Sequence, residues 1–284
     1  MTTQNKHSGG FPDLESLLKR TLRHLQARFG WRHPRPLPHF LVIGTQKGGT
    51  TSLHHLLARH PGIYLPAVKE VHYFSQHFHQ SLQWYANHYQ DAKPGQLRGD
   101  ITPFYLFHMA APARIRSVLP RVRMIALLRD PVERTLSQYF HARRNGYEQL
   151  ELEAALEAEE ERIIGADNVV MASDGLHYSY QKHTYLSRSR YEKQLQRYRE
   201  LFPRRQILVL RSEDLFSCTE QYWDHLLRFI GAAPLSLQVP LPHSNSGQGE
   251  ASAVSVLLKR KLRAQLEPTY EWLERKYGLS WPAP

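Results

Sequence analysis

The residues with the plainest chemical meaning stand together in "GTQKGGTTSL", 44–53. An apolar run at 40–43 ends at Gly44, and the loop then supplies Lys47, Gly48, Gly49, Thr50, Thr51 and Ser52 before a helical pattern starts. A glycine- and hydroxyl-rich turn ahead of a helix exposes backbone amides at the positive end of the helix dipole, which suits a phosphate or sulfate oxyanion. Gly44 and Gly49 have the spacing of the NTPase loop G-x-x-x-x-G-K-[ST]. Thr50, however, stands where that loop has its lysine, and Lys47 lies three residues earlier. From there a lysine can reach the oxygen that bridges a 5′-phosphate and a group being transferred.

Two further clusters carry chemistry. Arg129 ends the apolar run "VRMIALL" (122–128), and Arg134, Ser137 and His141 follow at i, i+3 and i+7 spacing on one helical face. A cation with a hydroxyl suits a second phosphate. In "KEVHYF" (69–74), Glu70 and His72 alternate along an extended segment, so both can face one cleft, and either could take a proton from a hydroxyl or amine.

The elements that must position these residues alternate between strand and helix. Leu53, Leu56 and Leu57 mark a helix stopped by Pro61-Gly62. "QLRGDITPFYL" (96–106) reads as a short strand running into a turn, and 122–128 as a strand buried on both faces. In "RDPVERTLSQYFHARRNG" (129–146), Asp130 caps, Pro131 opens the helix, Glu133 completes a capping-box pattern, and Asn145-Gly146 end it. The acidic stretch 147–163 reads as a solvated helix, 164–187 as a long loop and 189–202 as a helix. A buried strand within 205–215, a helix at 219–230, a Gly/Ser-rich loop at 240–252 and a helical tail at 256–278 complete the pass. Such alternation predicts an α/β fold with a mostly parallel sheet flanked by helices, and a ligand at the carboxyl ends of its strands.

Composition bounds the function. At 284 residues, with 41% hydrophobic and 11% aromatic content, the chain can bury a large core and is not disordered overall. A single cysteine, Cys218, excludes an internal disulfide framework and a cysteine-rich metal site. The opening residues lack the apolar core of a signal peptide and no apolar run spans a bilayer, so a cytoplasmic location is expected. The net charge of +11 calls for an anionic ligand or surface. The segment 1–36 carries a basic amphipathic helix over 13–29, a candidate peripheral membrane or partner contact, and "HPRPLPH" (33–39) links it to the main domain at 37–284.

In combination these motifs resemble the PAPS-dependent sulfotransferases, nearest to the heparan sulfate (3-O- and N-) sulfotransferases and their bacterial relatives. "GTQKGGTTSL" resembles the 5′-phosphosulfate loop, "RDPVERTLSQY" the 3′-phosphate element, and "KEVHYFSQHFHQSLQWY" the segment bearing the catalytic glutamate. "GDITPFYL" is similar to a turn near the acceptor, and "YEKQLQRYRELFPRRQILVLRSEDL" to a long family stretch headed by Tyr191. The resemblance implies a P-loop-kinase-like three-layer fold. It also implies sulfuryl transfer from 3′-phosphoadenosine 5′-phosphosulfate (PAPS) to a hydroxyl or amine, without a metal. Lys47 would lie at the bridging oxygen, with Gly48, Gly49, Thr50, Thr51 and Ser52 around the 5′-phosphate. Arg129, Ser137 and Tyr191 would bind the nucleotide, and Glu70, with His72 as the rival, would be the base. Two departures stand out. Ile101 replaces the lysine of the heparan enzymes in "GDITP", and "HSNSGQG" (243–249) replaces their lysine-glycine tail loop.

The acceptor class implied is a small molecule or glycan. A P-loop kinase or NTPase is the competing enzyme, disfavoured by the missing lysine after Gly49. Nucleic acid is not an expected partner, because the aromatics follow core spacing rather than an exposed stacking platform.

Overall fold

A computed structural model describes residues 36–217, 219–237 and 249–284. The expected helix over 13–29, Cys218 and most of the 243–249 stretch therefore lie outside the described residues. In chain order the main elements are β1 (Phe40–Gly44), α1 (Thr50–Ala58), β2 (Ile63–Tyr64), α2 (Leu82–Asn87), β3 (Leu97–Ile101), α3 (Ala111–Val118), β4 (Arg123–Leu128), α4 (Pro131–Arg144), α5 (Tyr191–Leu201), β5 (Ile207–Arg211), α6 (Thr219–Ile230), α7 (Val256–Gln265) and α8 (Glu267–Tyr277). The strands form one sheet in the order β2-β3-β1-β4-β5, with every pairing parallel. Among the described residues no helix is long and apolar enough to cross a membrane.

Alternation along β1 explains the layers. Phe40 and Val42 point to one face, where Leu53, Leu56 and Leu57 of α1 and Trp223, Leu226 and Leu227 of α6 cover them. Leu41 and Ile43 point to the other, packed with Ile115 of α3, Leu136 of α4, Leu195 of α5 and Leu273 of α8. A central strand buried on both faces must be apolar at every position, which is why 40–43 and 124–128 read as unbroken runs. Burying each such side chain contributes roughly 1.5–3 kcal/mol. Because all five strands run the same way, their carboxyl ends share one edge, and Gly44, Ile101, Leu128 and Arg211 open the segments that build the site.

Four local readings are corrected. First, β5 is an edge strand, so Leu208 and Val209 are only half-buried rather than enclosed. Second, 164–187 is no open loop. It holds helices Ala166–Met171 and Tyr178–Lys182, and Ala166, Val170 and Tyr180 pack on Phe104 and Phe107. The buried Arg114 clamps it by donating to the carbonyls of Val170 (3.4 Å), Met171 (3.2 Å) and Ala172 (2.7 Å). Third, the acidic stretch is not simply solvated. Glu159 is buried and accepts from the amides of Leu186 (2.7 Å) and Ser187 (2.8 Å), and buried Glu148 pairs with Arg162 at 2.5 Å. Burial of a carboxylate requires such partners, and their distance in sequence hides them. Fourth, Asp130 caps α4 as expected, accepting from Glu133 N at 2.8 Å, but Glu133 does not return the bond. Its carboxylate turns to Lys259 (2.9 Å) and Arg129 (3.5 Å).

Candidate functional site

The loop from Gly44 to Thr50 is held against the end of β4, where Thr45 N donates to Leu127 O at 2.8 Å. That proximity dictates its glycines. A Cβ on Gly48 would lie 2.6 Å from Leu127 O, and one on Gly49, whose φ is 86°, would lie 2.6 Å from Phe216 Cζ. The Gly48 amide is consumed in the turn, donating to Thr45 O at 3.0 Å. Thr50 and Thr51, by contrast, open α1, where first-turn amides have no intrahelical acceptor and remain available to an anion.

A cavity of about 660 Å³ lies over this loop. Lys47 to Ser52 form its floor, Arg129, Ser137 and His141 one wall, and Glu70, Lys69 and Pro103 another. The three sequence clusters, separated by up to about ninety residues, thus meet in one space at the carboxyl edge of the sheet.

Backbone strain marks the same place. The non-glycine residues with left-handed backbone among the described residues are Lys47 (φ 70°), Glu70 (φ 61°) and His72 (φ 56°). Such conformations cost energy and persist where surrounding structure enforces them, often at working sites. The finding also corrects the reading of 69–74. Glu70 and His72 do not alternate on an extended strand; two left-handed turns bring them together, with Nε2 of His72 3.5 Å from Oε2 of Glu70. His72 stands behind Glu70, its Nδ1 3.0 Å from Ser75 Oγ, and does not line the cavity.

The electrostatics are strongly cationic. Burial, joined by the nearby charges of Arg144, Arg129, Arg134 and Lys69, lowers the Lys47 ammonium to about 8. Among the described residues no carboxylate pairs with it, so its charge is uncompensated. Burial, Lys47, Arg144 and Lys182 push His141 down to about 4, leaving it neutral at pH 7. For Glu70, burial alone would raise the carboxyl. The hydrogen bond and charge of His72, together with Lys69, outweigh it and hold Glu70 below the usual carboxylate range.

Not every expected residue reaches the cavity. Arg134 turns inward, fully buried, donating from Nε to Ser189 Oγ at 2.6 Å and from Nη2 to Tyr185 O, so it leaves Ser137 and His141 to share the wall. Tyr191 is buried behind Arg129, its hydroxyl donating to Arg129 O at 3.1 Å, where it props the end of β4 rather than lining the space. Ile101 is buried in the core beneath α1. Lining residues that escaped the sequence reading include Lys69, Glu213, Phe216 and Ser217. The last three follow β5 at the same sheet edge, and strand direction was the signal that pointed to them.

Comparison with known proteins decides the family. The sulfotransferase domain family matches residues 37–244. The chain belongs to the sulfotransferase family. The membrane-associated sulfotransferase kil1 of Dictyostelium discoideum is 43% identical over 106 residues, covering 36% of this chain and 22% of that protein. Human bifunctional heparan sulfate N-deacetylase/N-sulfotransferase 3 is 30% identical over 212 residues, 70% of this chain and 23% of that protein. This sulfotransferase therefore spans about a quarter of the length of these curated relatives. A crystal structure of a sulfotransferase from Alicyclobacillus acidocaldarius superposes with a TM-score of 0.68 at 24% identity, covering 86% of this chain and 97% of that one. The P-loop-kinase-like sheet flanked by helices is thus the family fold.

Proposed function

We propose that this sulfotransferase moves a sulfuryl group from PAPS to a hydroxyl or amine of a glycan or small-molecule acceptor. The observation that carries the reading is the single cavity that joins an uncompensated lysine, a helix N-terminus, a second cationic wall and an ionised glutamate. A donor with two phosphate groups and a sulfonate matches those charges. The Thr50 and Thr51 amides and Lys47 take the phosphosulfate, and Arg129 with Ser137 takes the 3′-phosphate. A mouse sulfotransferase that shares the fold, with a TM-score of 0.50 at 15% identity, is described in complex with PAP, the desulfated nucleotide.

In this mechanism Glu70 accepts the proton of the acceptor hydroxyl as its oxygen attacks sulfur. The new O–S bond forms while the bond from sulfur to the bridging oxygen breaks, and PAP departs with that electron pair. Lys47 lies where the leaving oxygen gains charge, so its contribution is larger in the transition state than in the bound donor. The left-handed backbone at Lys47 and Glu70 fixes both groups before substrate arrives, which suits preorganised catalysis. Calorimetry with PAP and with ATP tests the donor. Submicromolar to micromolar PAP binding with much weaker ATP binding is expected, and the reverse order would favour a nucleotide kinase.

A further inference from the structure

Lys69 helps to keep Glu70 ionised, but the donor assignment gives it no contact with the nucleotide. Its Nζ is 2.7 Å from Thr51 Oγ1, in the first turn of α1, and 3.5 Å from Oε1 of Glu70. It lines the same cavity as Lys47. We propose that the Lys69 ammonium binds the sulfonate of the donor and so distinguishes PAPS from PAP. This rests on the donor reading above.

The argument is one of placement. In an in-line displacement the sulfur lies between the leaving oxygen, held over the loop, and the attacking oxygen, held by the base. Lys69 is tied to both ends of that line, to the loop through Thr51 and to the base through Glu70. Its ammonium therefore flanks the interval the sulfonate must occupy. An ammonium has three N–H donors. Thr51 takes one and Glu70 faces a second, which leaves one for a sulfonyl oxygen. Lys47 cannot make the distinction, because the phosphate oxygen it addresses is present in both nucleotides. Only a cation placed beyond the phosphate, toward Glu70, meets a group that one nucleotide carries and the other lacks.

The other charged groups do not replace it. His72 lies behind Glu70 and outside the cavity lining. Arg188, which feels the charge of Glu70 from the turn ahead of α5, is spent on Gln46 and the carbonyls of Tyr180 and Gln181. His54 of α1 is lowered by burial and by the charge of Lys69, which favours its neutral form. Once the sulfonate has moved to the acceptor, the Lys69 contact no longer retains PAP.

The test needs no acceptor. Calorimetric titration of the purified chain with PAPS and with PAP, in the native form and in Lys69→Met, reads the ratio of the two affinities. A charge-assisted contact at a partly exposed lysine predicts that Lys69→Met weakens PAPS about tenfold. PAP should change less than about twofold, which also shows that the variant is folded. Equal weakening of both nucleotides, or no change in either, would overturn the assignment. Absence of binding of either nucleotide to the native protein would instead overturn the donor reading, and the assignment with it.

Discussion

The lowered Lys47 ammonium gives a prediction with a defined sign and window. Its value of about 8 arises from burial and from repulsion by Arg144, Arg129, Arg134 and Lys69. A bound phosphate removes much of that repulsion and pairs the charge, so the ammonium of the complex titrates well above that of the free protein. The nucleotide therefore binds the protonated lysine. Lys47 is about nine-tenths protonated at pH 7 and about one-tenth at pH 9, given a value near 8. PAP affinity should accordingly fall about tenfold, about 1.4 kcal/mol, across those two units, approaching one decade per unit at the upper end. The window is clean on other counts. Phosphate second ionisations lie near about 6, and His141, held near 4, is neutral throughout. Calorimetry or fluorescence titration of PAP at half-unit steps, at fixed ionic strength, measures the slope. In Lys47→Met the dissociation constant should be flat over the same range. A flat profile in the native protein, or a slope that survives in Lys47→Met, would refute the placement of Lys47 against the phosphate.

Other outcomes follow from the same geometry. Arg129 is partly exposed and shares Glu133, so Arg129→Ala should weaken PAP about tenfold rather than the full value of a buried contact; calorimetry showing no loss would remove Arg129 from the site. With labelled PAPS and a panel of hydroxyl acceptors, Glu70→Gln should lower turnover on the order of 10²-fold or more while PAP affinity holds. His72→Gln should be milder, and the reverse ranking would transfer the base to histidine. Because Glu70 is held below the usual carboxylate range, turnover should stay level down to about pH 5 and decline only in more acidic buffer; a decline beginning near pH 7 would contradict that. Asp100 is fully buried and accepts from the hydroxyls of Tyr85 (2.8 Å), Tyr105 (2.9 Å) and Thr102 (2.7 Å). Asp100→Ala strands those donors and should cost about 3 kcal/mol or more in urea unfolding, and an unchanged midpoint would falsify the role.

What the sequence determined by itself was local. The glycines and hydroxyls of 44–52, the Asp130-Pro131 cap and the unbroken apolar runs at 40–43 and 124–128 each specify their own conformation, because turn sterics, helix capping and two-sided burial act within a few residues. Strand direction then placed Lys47 and Arg129 at one sheet edge. Only the tertiary structure decided which side chains of those elements face the cavity. Arg134 and Ser137 share a helical stripe in sequence, yet Arg134 is drawn inward by Ser189 and Tyr185, which lie about fifty residues away. Glu70 and His72 meet through left-handed turns that no pattern in "KEVHYF" announces, since neither residue type requires that backbone. The Glu148 and Glu159 carboxylates read as solvent-facing because their partners, Tyr185 and the amides of Leu186 and Ser187, come from a distant segment. Lys69 belongs to the same class. Beside Glu70 it reads as an ordinary surface charge, and only the approach of Thr51 from α1 turns it into part of the site. Conformational preference is short-ranged and written into neighbouring residues, whereas the partner of a buried charge is fixed by packing across the whole fold.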